Sequence, residues 1–315
     1  MIPAFRNLPL SARLLLMGAM FLFNYLLFPT VAALFVLPFY GMDKLTGVLN
    51  GKFVTETDKY IFLFVQGAAS LGAFGFTSLL MSQLETRFVV KRLALGIRPG
   101  LKLILIAVFS IIAAQAFIQF LVEINQKIPL PTALNFLAEQ GKHEEEIMQA
   151  LMKGSSFKLF LCNSVVLAMV PAIGEELFFR GLILGELLKA RISPIVAILV
   201  TGFLFSIAHA EYDNVLAIWV LGSFLGYLYY VSGSLWLSVI AHFTNNFLLI
   251  LLKYLYNIGF IKADIAEADM PLYATLVSIV LFLLCLFALN KWRRPVDFEL
   301  ELGDPELINE ENYSE

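Results

Sequence analysis

The chain is predicted to be all-α: a polytopic transmembrane helical bundle of about eight spans with both termini cytoplasmic. Three observations predict it. Of its 315 residues 59% are hydrophobic and only 15% charged, and the mean hydropathy is +0.81, so the chain cannot cover itself with water-compatible surface. The apolar residues fall into long runs separated by short polar stretches. The basic residues collect in clusters between those runs, as in membrane loops rather than on a nucleic-acid-binding face, and the net charge is only -3; nucleic acid is not an expected partner.

The first span is read at Leu14 to Phe39, behind Arg6 and Arg13. It is longer than the roughly 7 to 15 residues of a signal-peptide core, so it is expected to be retained, bent or interrupted at Pro29. A second span covers about Tyr60 to Leu84, where Gly67, Gly72 and Gly75 suggest close packing, and a third about Leu101 to Val122. Between these two lie Arg87, Lys91, Arg92, Arg98 and Lys102. The polar stretch Glu123 to Ser156 is read as a surface helix on or near the bilayer. His143 within it is an exposed histidine beside a run of glutamates, with no metal-ligand spacing around it.

Span four covers about Phe157 to Leu188, span five Ile195 to His209 and a little beyond, span six Val215 to Val231, span seven Leu235 to Leu252 and span eight Leu272 to Trp292. The acidic tail from Arg293 is expected to be a disordered soluble end. Eight spans put both termini on one side, and most of the 22 basic residues fall on that side, which the positive-inside rule makes cytoplasmic. The expected divisions are a membrane region over 1–156, a core of four spans over 157–252, and a last span with its tail over 253–315. Cys162 and Cys285 both lie in apolar runs and are read as packing residues. Gly181 to Gly185 and Gly222 to Gly226 are spacings that let helices approach closely. Glu211, Asp213 and Asn214 form a turn after span five, and Trp219 and Trp236 are packing or interfacial anchors.

The run Pro171 to Gly181 puts Glu175, Glu176 and Arg180 inside a membrane span. Each such charge costs roughly 2.5 to 3.5 kcal/mol at a helix centre, which marks a functional site. Two of the three histidines, His209 and His242, also lie in spans. At about 1.5 Å of rise per residue, Glu175 lies roughly 21 Å in from Lys189, and His209 a similar distance in from Pro194. His242 and Asn246 lie roughly 12 to 18 Å in from the turn at Ser232 to Ser234. These comparable depths suit a single internal site.

Glu176 and Arg180, at i and i+4 with the acid first, read as a structural ion pair. Glu175 points about a quarter turn away without a local cation, and is read as the working carboxylate, a general base for water. His242 and Asn246, again at i and i+4, present an imidazole and a carboxamide that can donate hydrogen bonds to an oxyanion. Asn245 could take the place of Asn246 if the helix rotates, although the spacing favours Asn246.

Glu175-Glu176-x-x-x-Arg180, Phe205-x-x-x-His209 and His242-x-x-x-Asn246, in this order on successive hydrophobic helices, resemble the three motifs of the CPBP family. This family comprises CAAX proteases and bacteriocin-processing enzymes, among them the type II CAAX prenyl endopeptidases. The resemblance covers roughly Leu159 to Leu252. It implies an intramembrane endopeptidase acting on a membrane-associated protein or peptide, and placement as a multi-pass protein of the cell membrane. Glu175 and His209 would activate water, His242 and Asn246 would stabilise the tetrahedral intermediate, Phe205 would line the cavity, and Glu176 with Arg180 would support the helix. Members are often labelled metalloproteases, and Glu175, His209 and His242 form an alternative set of zinc ligands. With no His-Glu-x-x-His spacing present, a cofactor-free reading is preferred. Two rivals stand beside the protease: a proton-coupled transporter using the same titratable groups, and a non-catalytic membrane binding or immunity protein of the same fold.

Overall fold

The computed structural model describes residues 8–129, 135–262 and 270–294. Among them there are only helices, turns and loops. The helices are α1 (Leu10–Tyr40), the short α2 (Met42–Leu49), α3 (Glu56–Glu85), the single turn α4 (Val89–Arg92), α5 (Leu101–Gln126), α6 (Asn135–Met152), α7 (Phe157–Lys189), α8 (Pro194–Ala208), α9 (Val215–Ser232), α10 (Leu235–Asn257) and α11 (Leu272–Lys291). Arg6 and the acidic tail beyond Arg294 lie outside the described residues.

Seven of these helices are long and apolar enough to cross a membrane: α1, α3, α5, α7, α9, α10 and α11. Their outward faces are apolar, as lipid requires; Phe39 is 80% exposed and Phe287 71%. The polar surface of α6, where His143 is exposed, is that of a helix outside the bilayer core. α1 runs as one helix through Pro29 and Pro38, so of the bend or interruption expected at Pro29 the interruption does not occur; in a span, neighbouring groups and local adjustments tolerate the amide that proline removes. Asn24 on this helix donates to Thr77 Oγ1 on α3 at 2.9 Å.

The first and last described stretches of the chain, near Arg13 and Arg294, lie at one end of the bundle. There Arg13 of α1 meets Glu186 of α7 at 2.5 Å, and the Arg294 amide donates to Val231 at the end of α9 at 2.8 Å. In the connection between α3 and α5, Leu95 and Ile97 accept from Trp236 and Ser234 at the start of α10. At the opposite end Asn125 of α5 binds Tyr212 and Leu216, and Asn257 of α10 binds Met152 of α6.

α8 lies where the fifth span was read, Ile195 to His209 and a little beyond, but is shorter than the other apolar helices. Its 15 residues give about 22 Å of helix, against roughly 30 Å of bilayer core. The helix stops because His209 caps it and Ala210 turns into the left-handed region at φ 54°. The chain continues through His209 and a single 3₁₀ turn, Tyr212–Asn214, into α9. Irregular backbone at that depth is tolerated where protein buries it or where it lines a wet cavity.

α8 packs on α9 with the backbones almost touching. A Cβ on Gly202 would fall 2.7 Å from the Ser223 nitrogen, and one on Gly222 3.1 Å from the Gly202 carbonyl oxygen. These neighbours are backbone and cannot swing aside. Gly202→Val is therefore expected to lower stability by about 3 kcal/mol or more, read as earlier thermal unfolding in detergent, whereas Gly18→Val, with open space around it, should leave unfolding unchanged.

A charged cluster closes the terminal end. Arg92 on α4 is 1% exposed and donates to Glu85 at 2.6 Å, to Glu186 at 2.5 Å and to the Gly181 carbonyl at 2.7 Å. Lys189 binds both of those glutamates. The cluster ties α1, α3, α4 and α7 together, although the sequence presents Arg92 as one of several loop cations.

Candidate active site

α7 carries the acidic pair at a change of helical pitch. Its α-helical stretch Val170–Glu176 passes directly into a π-helical stretch, Leu177–Leu184; π-turns inside α-helices are frequent at functional sites. Immediately before the pair, Gly174 brings α7 close to the π-turn of α3. A Cβ there would fall 3.2 Å from Phe74 Cβ and 3.6 Å from the Ser70 carbonyl. Glu175 is thus held against a neighbouring backbone.

Glu176 and Arg180 are both fully buried and paired at 2.7 Å through Glu176 Oε1 and Arg180 Nη1. Arg180 also donates from Nη2 to the Gly222 carbonyl on α9 at 2.7 Å, and its guanidinium lies over the Phe205 ring at 4.6 Å. The close crossing of α8 and α9 therefore supplies two of the arginine's three supports. Glu176 Oε1 has a second partner that spacing alone did not assign: His242 Nδ1 on α10, at 2.9 Å. A carboxylate accepts only, so that nitrogen carries a proton and the ring is fixed in plane.

His209 is fixed by a different group with the same result. Its Nδ1 lies 2.8 Å from the Phe205 carbonyl, which also only accepts, so Nε2 is the nitrogen left to work. Phe205 itself is 1% exposed. It packs against both imidazoles, with ring centroids 4.5 Å from His209 and 5.7 Å from His242, and meets Phe179 edge-on at 5.1 Å.

The two Nε2 atoms converge on one oxygen. Glu175 Oε2 is 3.8 Å from His209 Nε2 and 3.9 Å from His242 Nε2. Glu175 is 8% exposed, and this oxygen is buried without a hydrogen-bond partner. His209 is the open member of the cluster, its side chain 28% exposed. Two residues further on, Glu211 lines a cleft of about 260 Å³ with Glu144, Glu145 and Asp213, between α6 and the irregular end of the α8 crossing. Burial raises Glu144 above the usual carboxylate range, and the neighbouring Glu211 charge adds to this.

Asn246 lies one turn beyond His242 on α10. Its Oδ1 accepts from Asn245 Nδ2 at 3.2 Å, and Asn245 Oδ1 accepts from Gln115 Nε2 of α5 at 3.3 Å. The motif spacings that mark the other site residues do not reach Gln115, but a carboxamide in the apolar run of α5 is itself a signal that could have found it.

For Glu175, His209 and His242, the alternative zinc set, Glu175 Oε2 lies 3.8 and 3.9 Å from the two Nε2 atoms, against about 3.4 Å between tetrahedral donors about 2.0 to 2.1 Å from a zinc ion.

Residues 157–248 match the family profile described as Type II CAAX prenyl endopeptidase Rce1-like. No curated protein and no solved structure matches the chain. The matched stretch runs from the start of α7 into α10 and contains Glu175, Glu176, Arg180, Phe205, His209, His242 and Asn246, while α1 to α6 and α11 fall outside it. The four-helix unit that carries the site is thus similar, over residues 157–248, to the Rce1-like type II CAAX prenyl endopeptidases.

Proposed function

We propose that this protein is an intramembrane endopeptidase that hydrolyses a peptide bond of a membrane-associated protein or peptide with water activated by Glu175 and His209. One observation carries the reading: the convergence of both Nε2 atoms on the unpartnered Glu175 Oε2, at 3.8 and 3.9 Å. These separations are too long for direct hydrogen bonds and are those of groups bridged by one oxygen atom.

Such a water donates one proton to Glu175 Oε2 and the other, as a hydrogen bond, to the lone pair on His209 Nε2. Its oxygen attacks the carbonyl carbon while Glu175 takes the first proton. The carbonyl π electrons move to oxygen, and His242 Nε2 and Asn246 Nδ2 donate to the resulting oxyanion. With Nδ1 already donating to Glu176, a donating Nε2 makes His242 an imidazolium, its charge lying between the carboxylates of Glu175 and Glu176. Collapse of the intermediate breaks the C–N bond as the proton held by Glu175 passes to the leaving nitrogen, giving an amine and a carboxylic acid, whose remaining water-derived proton passes to His209 Nε2 to leave a carboxylate.

The test is cleavage of a membrane-peptide library by the purified chain beside Glu175→Ala and His209→Ala, each with and without a strong chelator. Cleavage by the wild type alone, unchanged by chelator, is the expected result. Loss on chelation with recovery on added zinc would replace the metal-free chemistry, and no cleavage by folded wild type would overturn the protease reading.

A further inference from the structure

The geometry points to Gln115 and Asn245 as positioning residues that turn the Asn246 carboxamide so that its N–H groups, not its oxygen, face the reacting carbonyl. The assignment rests on the protease reading and deepens it, bringing α5, outside the family match, into the working of the site.

The direction of a carboxamide is decided by its partners. Gln115 Nε2 lies 2.9 Å from the Ile111 backbone carbonyl, a group that can only accept. The NH₂ end of Gln115 is therefore fixed there, and its second hydrogen goes to Asn245 Oδ1 at 3.3 Å. With its oxygen so occupied, Asn245 turns its own NH₂ toward Asn246 and donates to Oδ1 at 3.2 Å. Asn246 then has its oxygen engaged and its Nδ2 hydrogens directed elsewhere. Reversing Asn246 alone would set two NH₂ groups against each other, and reversing the whole chain would set the Gln115 oxygen against the Ile111 carbonyl, whose backbone cannot reverse.

Asn245 is 8% exposed, so water competes little for these bonds, and in low dielectric a satisfied chain of them is strengthened. The adjacent asparagines thus divide the work: Asn245 is the link and Asn246 the group offered to substrate. An asparagine free to rotate would present its oxygen to the oxyanion part of the time and repel it. The relay acts only on charge that develops in the transition state, so its loss should appear in kcat and leave KM unchanged.

The experiment measures kcat and KM on one peptide that the wild-type chain cleaves, for Gln115→Met, Asn245→Leu, Asn246→Ala and the doubles Gln115→Met/Asn246→Ala and Asn245→Leu/Asn246→Ala. Thermal unfolding is recorded for each. Gln115→Met is expected to lower kcat about tenfold, at the low end of what is lost when the partner orienting a reactive ligand is removed, with KM unchanged. Asn246→Ala is expected to lower kcat at least as much, and adding either relay substitution to it should cost nothing more. Asn245→Leu breaks the same chain at its middle and carries the test if Gln115→Met fails to fold. Wild-type kcat in folded Gln115→Met or Asn245→Leu, or the same fractional loss with Asn246 present and absent, would overturn the relay while leaving the protease reading intact. A folded wild type that cleaves no faster than Glu175→Gln would overturn both.

Discussion

Glu175→Gln is expected to lower kcat by roughly 10²- to 10⁴-fold, the range for loss of a general base, while unfolding no earlier than the wild type. The two effects separate because of what surrounds this carboxylate. Its Oε2 makes no hydrogen bond to another protein group, so neutralising it breaks no link between helices and relieves part of the desolvation cost of a buried charge. Glu176→Gln should behave in the opposite way. Glu176 holds the fully buried Arg180 at 2.7 Å and His242 at 2.9 Å, so its neutralisation leaves a guanidinium without a counter-charge. A loss of about 3 to 5 kcal/mol is expected when one partner of a buried pair is removed. Kinetics and thermal unfolding of both variants check the division: activity lost at full stability for the first, and stability lost for the second. Early unfolding of Glu175→Gln with intact activity in Glu176→Gln would reverse the roles.

Arg92→Met is expected to destabilise the protein by about 3 to 5 kcal/mol without touching the site. The guanidinium is buried among Glu85, Glu186 and the Gly181 carbonyl. Removing it leaves those two carboxylates and that carbonyl sharing Arg13 and Lys189, and it loosens the tie between α4 and α7. Arg87→Met, five residues earlier on an exposed side chain, is the control, expected to change stability by no more than about 0.5 kcal/mol. Equal unfolding temperatures for the two variants would show that the cluster contributes nothing to stability.

Residues on one helix were the easiest to relate from sequence. Glu176 and Arg180 are four apart, and four residues on a helix are neighbours whatever else the chain does. The spans were legible for the same reason, since lipid demands an apolar run wherever a helix crosses. Relations between helices were not. His242 Nδ1 reaches Glu176 across 66 positions and Arg92 reaches Glu186 across 94, and composition says nothing about either. The end of α8 near His209 was read from the sequence but its cause was not, because neither glycine nor proline marks it; Ala210 takes a positive φ there. The pitch change beneath the acidic pair has no compositional sign. Asn245 and Asn246 are adjacent and chemically identical, so only the direction of the chain from Ile111 through Gln115 separates them.

The central claim, that Glu175 serves peptide hydrolysis at this site, is met most directly by a single-turnover measurement on one membrane-embedded peptide, with the new termini identified by mass spectrometry for folded wild type and folded Glu175→Gln. One pair of complementary termini from the wild type, formed at least about 100-fold more slowly by Glu175→Gln, is the predicted result. The same termini formed at equal rates by both proteins would contradict it.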